Sequence, residues 1–535
     1  MDRRTFLSSL AAASVAVACS SDDDDATTTG SRSTRVRLAT PKKAPDLAAG
    51  SFALGVASGD PTPDKVLLWT RLASEPKAVG GGSPTTDVEV AYDVATDAAF
   101  EKLVASGVVT ATAERAHAVH VDVTNLDPDT WYHYRFRAGD QTSPVGRTRT
   151  LPAADAAVDR FTFVFASCQD YQWGRYGAWK HASEEPDLDL VVFLGDYIYE
   201  ITLGDLSPEK SGDRVWANAE TKTLDDYRVR YAQTKSDLQL QAAHQAAPWV
   251  TMFDDHEVSN NYAGDVGQAD GVAPGSHERR LAAYQAWYEH TPIRVTPEPD
   301  SYDSLVVHRS IPFGRLASMF AIETRQHADP PACRGESTGG GVMQTANDQG
   351  PDCADRNRED RTNLGAEQEA FLLDGLRDSD ATWNIIANPV MMAGLNLGTP
   401  EAPEYQLDAW DGYPAARNRL LDRITGSKVS NPVVVTGDWH ASFVMDVKRT
   451  PDGPTIMPEF LAGSITTVSF ATDYRAANPH VRYFATDHCY GLVTVTAAEL
   501  RCEFKYVADV WDANTAISKV DGWKVTAGDH IAQPV

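Results

Sequence analysis

Leu190-Val191-Val192-Phe193-Leu194-Gly195-Asp196-Tyr197-Ile198-Tyr199-Glu200 opens as an unbroken apolar run and stops on a glycine followed by a carboxylate. A continuous apolar run predicts a strand covered on both faces, because a strand with one wet face would alternate apolar and polar residues. Strands of that kind belong to sheets with helices packed over them, and ligands there bind beyond the strand ends. Asp196 stands at such an end.

The same grammar recurs along the chain. Phe161 to Ala166 ends in Ser167-Cys168, Trp249 to Phe253 runs into Asp254-Asp255-His256-Glu257, and Val433 to Val435 leads to Thr436-Gly437-Asp438-Trp439-His440. Tyr176 to Glu185 can turn as a helix, while Arg279 to His290 and Ala366 to Arg377 place Leu and Phe at helical spacing. Taken singly, each strand end is a weak signal, since a strand-end Asp often caps the next helix and a lone Cys or His is more often packing. Together they point to metal binding, because buried carboxylates and imidazoles that converge are costly unless a cation offsets their desolvation.

Before this α/β region, from about Ser51 to Thr150, short β runs alternate with turns: Val66 to Trp69, Val88 to Tyr92, His117 to Val123 and Trp131 to Arg137, with Asp127-Pro128-Asp129 as one turn. This predicts a small all-β sandwich of fibronectin/Ig-like character, with no catalytic role. A chain of 535 residues is too long for one ordinary core. The expected division is 1–48 for a signal and flexible linker, 49–152 for the β-sandwich, and 158–535 for the layered α/β domain.

A formal net charge of −27 argues against nucleic-acid binding, which needs a basic face. It also repels anionic substrates, so phosphate chemistry here requires a local cation. Arg3 and Arg4, then Thr5-Phe6-Leu7 and the apolar run from Leu10 to Ala18, predict export by the twin-arginine machinery, with an ordinary secretory signal as the alternative. Cys19, followed by Ser20, Ser21 and Asp22 to Asp25, marks either a lipid anchor or a simple cleavage point. The expected location is therefore periplasmic, extracellular, or on the cell surface as a lipoprotein. In an oxidising compartment Cys333 with Cys353, and Cys489 with Cys502, are candidate disulfides. Cys168 is then left over and needs another reason to exist.

The strand-end pattern resembles that of the calcineurin-like metallophosphoesterases, whose strand ends carry Asp, Gly-Asp, Gly-Asn-His and a late Gly-His-x-His. It departs from them at Cys168, at Tyr199 three residues after Asp196, at Asp255 in place of Asn, and at Asp438 in place of the first His. Those departures are similar to the alkaline phosphatase D (PhoD-like) family. The likeness extends over Phe52-Ala53-Leu54-Gly55-Val56-Ala57-Ser58-Gly59-Asp60-Pro61, Leu68-Trp69-Thr70-Arg71, Thr324-Arg325-Gln326, Leu364-Gly365-Ala366-Glu367-Gln368 and Trp410-Asp411-Gly412-Tyr413-Pro414. It implies a layered α/β metallophosphoesterase that cleaves phosphomonoesters and phosphodiesters using Fe3+ and one or two Ca2+. Phosphate-ester small molecules or phospholipid are the implied substrates, since a phospholipase D of similar sequence belongs to the same group.

The residue types agree with those metals. Thiolate from Cys168, phenolate from Tyr199 and imidazole from His440 suit ferric iron. The oxygen donors Asp196, Asp255 and Asp438 suit calcium, with Asp196 placed to bridge. Such a cluster draws in phosphate and activates a water for in-line attack. His256, between Asp255 and Glu257 in sequence, is the candidate acid for the leaving oxygen, with a structural role as the alternative. Tyr197 stands where some relatives carry a phosphate-clamping Arg, so Arg325 becomes the substitute candidate or else a buried structural arginine. Asn260 and Asn261 are further candidates to approach the cluster. Competing readings are a phospholipase-D-type diesterase or extracellular nuclease using the same metals, and a degenerate secreted binding protein.

Overall fold

The computed structural model describes residues 36–41, 47–201, 211–267, 276–295, 301–332, 345–347 and 355–535. The predicted export signal, Cys19 and the Cys333/Cys353 pair lie outside these residues.

Strands β1 (Val56–Gly59), β2 (Lys65–Arg71), β3 (Val88–Ala95), β4 (Leu103–Ala111), β5 (Ala118–Thr124), β6 (Trp131–Ala138), β7 (Gln141–Thr142) and β8 (Gly146–Arg149) form the N-terminal all-β region. One sheet runs β4-β3-β6-β7, with β8 also paired to β6. It packs on β1, β2 and β5 through a core that includes Val66, Leu68, Val90, Val121, Tyr134 and Phe136. These facing strands form the expected all-β sandwich, and one of its two layers is shared with a larger sheet. Through β1 they continue into the larger sheet of the α/β region, where β1 lies parallel to β11 (Trp249–Thr251) at Gly59↔Trp249. Gly59 permits that join, since a Cβ there would stand 2.0 Å from the carbonyl oxygen of Pro292.

The α/β region is built from two facing sheets. The first carries β9 (Phe161–Ala166) and β10 (Leu190–Phe193) parallel to each other and to β11. The second carries β12 (Arg309–Phe313), β13 (Ala317–Ala321), β15 (Trp383–Asn388), β17 (Pro432–Thr436), β18 (Ser442–Lys448), β19 (Thr455–Leu461) and β20 (Val481–Ala485) in the order 12-13-15-17-19-18-20. A small ribbon pairs β14 (Thr345–Asn347) with β16 (Glu404–Gln406). The first sheet is extended on its far edge by β21 (Cys489–Val495), β22 (Glu499–Val507), β23 (Ile517–Thr526) and β24 (Gln533–Pro534).

The apolar runs are continuous because each strand feeds two cores. Phe161, Phe163, Phe165, Leu190, Val192 and Leu194 point between the sheets and meet Ile311, Met319, Trp383, Ile385, Val433 and Val435. Val164, Val191 and Phe193 point the other way. There they meet helices α1 (Gly177–Ser183), α2 (Leu224–Lys235), α3 (Leu238–Ala246) and α4 (Ser276–His290). The outer face of the second sheet is covered by α5 (Gly365–Asp378) and α6 (Pro414–Ser427), through Leu372, Leu376, Leu420 and Ile424. The result is an α/β/β/α sandwich preceded by an all-β region. Among the described residues, no helix is long and apolar enough to cross a membrane.

The Cys489–Cys502 disulfide expectation is overturned, because both cysteines are free and buried. The β21–β22 register sets Cys489 opposite Tyr506 and Cys502 opposite Val493, so the hairpin never brings the two thiols together. Each serves as a small apolar side chain in the core between the sheets.

Candidate metal centre

The strand ends hold their side chains in a costly backbone conformation. Cys168 (φ 58°), Asp196 (60°), Asp438 (70°) and His440 (56°) all occupy the left-handed region. Such positions cost on the order of 1 kcal/mol or more each and gather at functional sites. The glycines beside them are needed for close approach. Gly195 has φ 116°, and a Cβ there would lie 2.4 Å from the Asp254 Cβ; a Cβ on Gly437 would lie 2.4 Å from Ser167 Oγ. Cys168 N–H donates to the Gly195 carbonyl at 3.1 Å, and Gln169 N–H to the Asp196 carbonyl at 3.0 Å.

These loops bring all six sequence-predicted metal candidates together. The ligand atoms of Cys168, Asp196 and His440 lie within 4.8 Å of one another. Tyr199 joins them, donating its hydroxyl to Asp196 Oδ2 at 3.0 Å and standing 3.3 Å from His440 Nε2. Asp196, Asp255 and His256 make a second group, and Asp254, Asp255 and Asp438 a third, within the same 4.8 Å limit. Asp196 is shared by the first two groups and Asp255 by the last two, so the candidates form one chain of donors from soft to hard.

The residues fit a metal cluster. Asp196 Oδ1, Asp254 Oδ2 and Asp255 Oδ1 are buried and have no hydrogen-bond partner among the described residues. Unpartnered buried acceptors are costly, and several within one pocket call for a cation. Charge points the same way. Burial, and then the Asp196 carboxylate, push the Cys168 thiol and the Tyr199 phenol well above their ordinary values. Burial lifts Asp196 itself to about 7. Burial lowers His440 to about 3, which leaves the neutral imidazole that ligates a metal.

His256 is not flanked in space as its sequence neighbours suggest. Its Nδ1 bonds Glu200 Oε2 at 2.7 Å, and its Nε2 lies 3.9 Å from Asp255 Oδ2. Burial opposes its charge, yet Asp255, Glu200 and Asp196 together hold its pKa well above the usual value. Glu257 points elsewhere. Its carboxylate accepts the backbone N–H groups of Asp196 at 3.1 Å, Tyr197 at 2.5 Å and Asp254 at 2.8 Å, tying the second strand end to the third.

Arg325 follows β13 and is almost wholly buried. Its Nε bonds Asp254, its Nη1 bonds Asp408 Oδ1 at 2.6 Å, and its Nη2 lies 3.7 Å from Asp255 Oδ1. It is therefore a counter-cation inside the carboxylate group, with Nη2 buried and without a hydrogen-bond partner among the described residues. Tyr197 faces away from the pocket, with its hydroxyl 2.7 Å from His244 Nε2. Asn260 and Asn261 do reach the pocket, which is lined by Asp196, Asp255, His256, Asp438 and His440 together with Gln406, Trp439 and Phe470. Sequence reasoning did not single out Glu200, Asp254, Asp408, Gln406 or Phe470. Asp254 was legible as part of the Asp-Asp-His-Glu run; nothing local marks the others.

Two facing sheets with a metal-compatible cluster on their strand ends define a metallophosphoesterase-like protein. The chain belongs to the PhoD-like phosphatase family: the model of that family matches residues 163–505, and the model of its N-terminal domain matches residues 37–152. Alkaline phosphatase D of Bacillus subtilis (strain 168) is 41% identical over 487 residues, covering 89% of this chain and 81% of that protein. A solved structure of PhoD superposes with a TM-score of 0.85 at 38% identity, over 92% of this chain and 93% of that one. Purple acid phosphatase PPD1 from yellow lupin (Lupinus luteus) seeds matches with a TM-score of 0.51 at 12% identity, over 88% of this chain and 73% of that one, and shares the fold.

Glu257→Ala is expected to destabilise the protein by roughly 3 kcal/mol or more, since three buried amides lose their acceptor. Metal content after purification should fall with it. Urea unfolding with elemental analysis checks both, and a variant with wild-type stability would contradict the bridging role.

Proposed function

We propose that the chain is an exported phosphoesterase that cleaves phosphomonoesters and phosphodiesters with iron and calcium. The observation that carries this reading is the meeting of thiol, phenol, imidazole and carboxylates around buried oxygens that lack partners. The donor types support the metal assignment: Cys168, Tyr199 and His440 would hold ferric iron, Asp255 and Asp438 would hold calcium, and Asp196 would bridge them. Bound there, the metals supply the positive charge that draws phosphate into an acidic molecule, and the Lewis acidity that makes water nucleophilic near neutral pH. The name of the Bacillus subtilis relative supports phosphatase activity.

The protein's own groups divide the remaining work. Glu200 accepts the Nδ1 proton of His256, which orients the ring and leaves the second proton on Nε2, the edge nearer Asp255. His256 Nε2–H is then the acid for the departing oxygen. Asn260 is held in turn, its backbone N–H donating to Glu200 Oε1 at 2.6 Å. Arg325 keeps Asp254 and Asp408 in place through Nε and Nη1. For location, Arg3-Arg4 and the run to Ala18 support twin-arginine export, and Cys19 supports a lipid anchor.

Two outcomes test the reading. Purified protein should contain iron and calcium and show a visible charge-transfer band from phenolate or thiolate on ferric iron. A colourless, iron-free and fully active preparation would overturn the metal assignment. Glu200→Gln removes a carboxylate that raises the His256 pKa. The acid is then lost at lower pH, so the alkaline limb of kcat should move toward lower pH; an unmoved limb would remove His256 from the acid role.

A further inference from the structure

The inference rests on the phosphoesterase reading and concerns the wall of the same pocket. Its floor is ionic: Asp196, Asp255, His256, Asp438 and His440. The remaining lining is Asn260, Asn261, Gln406, Trp439 and Phe470, made of amides and aromatic rings. Phosphate oxygens seek cations and N–H donors, and a benzyl side chain offers neither. Phe470 therefore meets some other part of an ester.

The segment that carries Phe470 is fastened at both ends. At its start it pairs with the first strand end: Ile465 N–H donates to the Ser167 carbonyl at 3.1 Å, Thr466 N–H to Cys168 at 3.1 Å, and Asp170 N–H to Thr466 at 2.7 Å. At its far end the Tyr474 ring stands edge-on to Trp439, with centroids 6.3 Å apart. There the Asn478 amide also donates to the Tyr474 and Asn396 carbonyls at 2.8 Å. Residues 468 to 473, between these anchors, are half-buried or exposed. Phe470 lies over His440, ring parallel within 5° and centroids 5.1 Å apart. A phenylalanine serving only as core would be fully covered, and this one is half-buried at the pocket.

Gln406 provides the second, independent observation. It is 7% exposed, and its Oε1 has no hydrogen-bond partner among the described residues. It sits at the end of β16, two residues before Asp408, which Arg325 holds. A buried amide oxygen left unpaired on a pocket wall is costly, and a ligand donor would relieve it.

We propose that Phe470 and Gln406 seat the organic part of the ester and select leaving groups built on a flat ring that carries a hydrogen-bond donor. The ring packs on Phe470, and its donor bonds Gln406 Oε1. A small polyol has no apolar face to offer and gains nothing from Phe470.

The test uses the full chain with its metals, comparing phenyl phosphate, 4-hydroxyphenyl phosphate and glycerol phosphate. Phe470→Ala should lose about tenfold of the phenyl-over-glycerol preference, mostly through KM, in line with the usual worth of an aromatic contact. Phe470→Leu should lose less. Equal losses on both esters would mean that Phe470 merely supports His440, and an unchanged preference would mean that it touches no substrate; either overturns the proposal. Wild type should favour 4-hydroxyphenyl over phenyl phosphate, and Gln406→Leu should erase that margin; a margin that persists overturns the part assigned to Gln406. Calorimetric binding of phenylphosphonate against methylphosphonate reads the wall without turnover. Should neither ester be hydrolysed while Phe470→Ala still shrinks the phenylphosphonate advantage, the phosphoesterase reading fails and the seat stands.

Discussion

Acidic groups crowded into a dry pocket cannot all be charged at once, and the rest of the structure answers to that constraint. Asp196, Asp254, Asp255 and Asp408 are buried within one connected group, with the Cys168 thiol and the Tyr199 phenol beside them. Left alone most of them would keep their protons, as the upward shifts of Cys168, Tyr199, Asp196, Asp254 and Asp408 indicate. Asp255 is the exception, held below its ordinary value against burial by His256 and Arg325. Arg325 offsets part of this charge from behind, through Asp254 and Asp408. The front, where the carboxylate oxygens lack partners, is left for cations.

Holding such a cluster open requires a stiff frame. Two sheets pressed face to face supply it, and the strand ends lock to one another by backbone hydrogen bonds and by the Glu257 carboxylate. Left-handed residues at four of the candidate positions show that side-chain direction is fixed at the expense of backbone comfort. The N-terminal β strands add to the frame, because β1 extends the same sheet that carries β9, β10 and β11.

Much of this was legible in the sequence because burial on both faces leaves an unmistakable apolar run, because the runs end in carboxylates and imidazoles that are costly in a core, and because Cys168 and Tyr199 stand where the PhoD-like resemblance places ligands. Cys168, Asp196, Tyr199, Asp255, Asp438 and His440 could be picked out that way. What could not be read was pairing in space. Glu257 sits next to His256 in the chain but turns to amides across the cluster, while Glu200, from a different loop, takes the position beside His256. The Cys489–Cys502 expectation failed for the same reason: spacing suggested a link, and strand register forbade it. Phe470 and Gln406 carried no local signal, since a phenylalanine in a loop and a glutamine at a strand end look like any others.

The most direct measurement is the stability of metal-loaded against metal-stripped protein as a function of pH. In the stripped protein burial lifts Asp196 to about 7, against roughly 3.9 in an unfolded chain. The folded state then binds more protons than the unfolded one, so stripped stability should rise as pH falls from 7 toward 4. Loaded protein should be the more stable by about 4 kcal/mol at a thousandfold excess of metal over its dissociation constant, with the widest gap above pH 7. Equal stability with and without metal across that range would contradict the account.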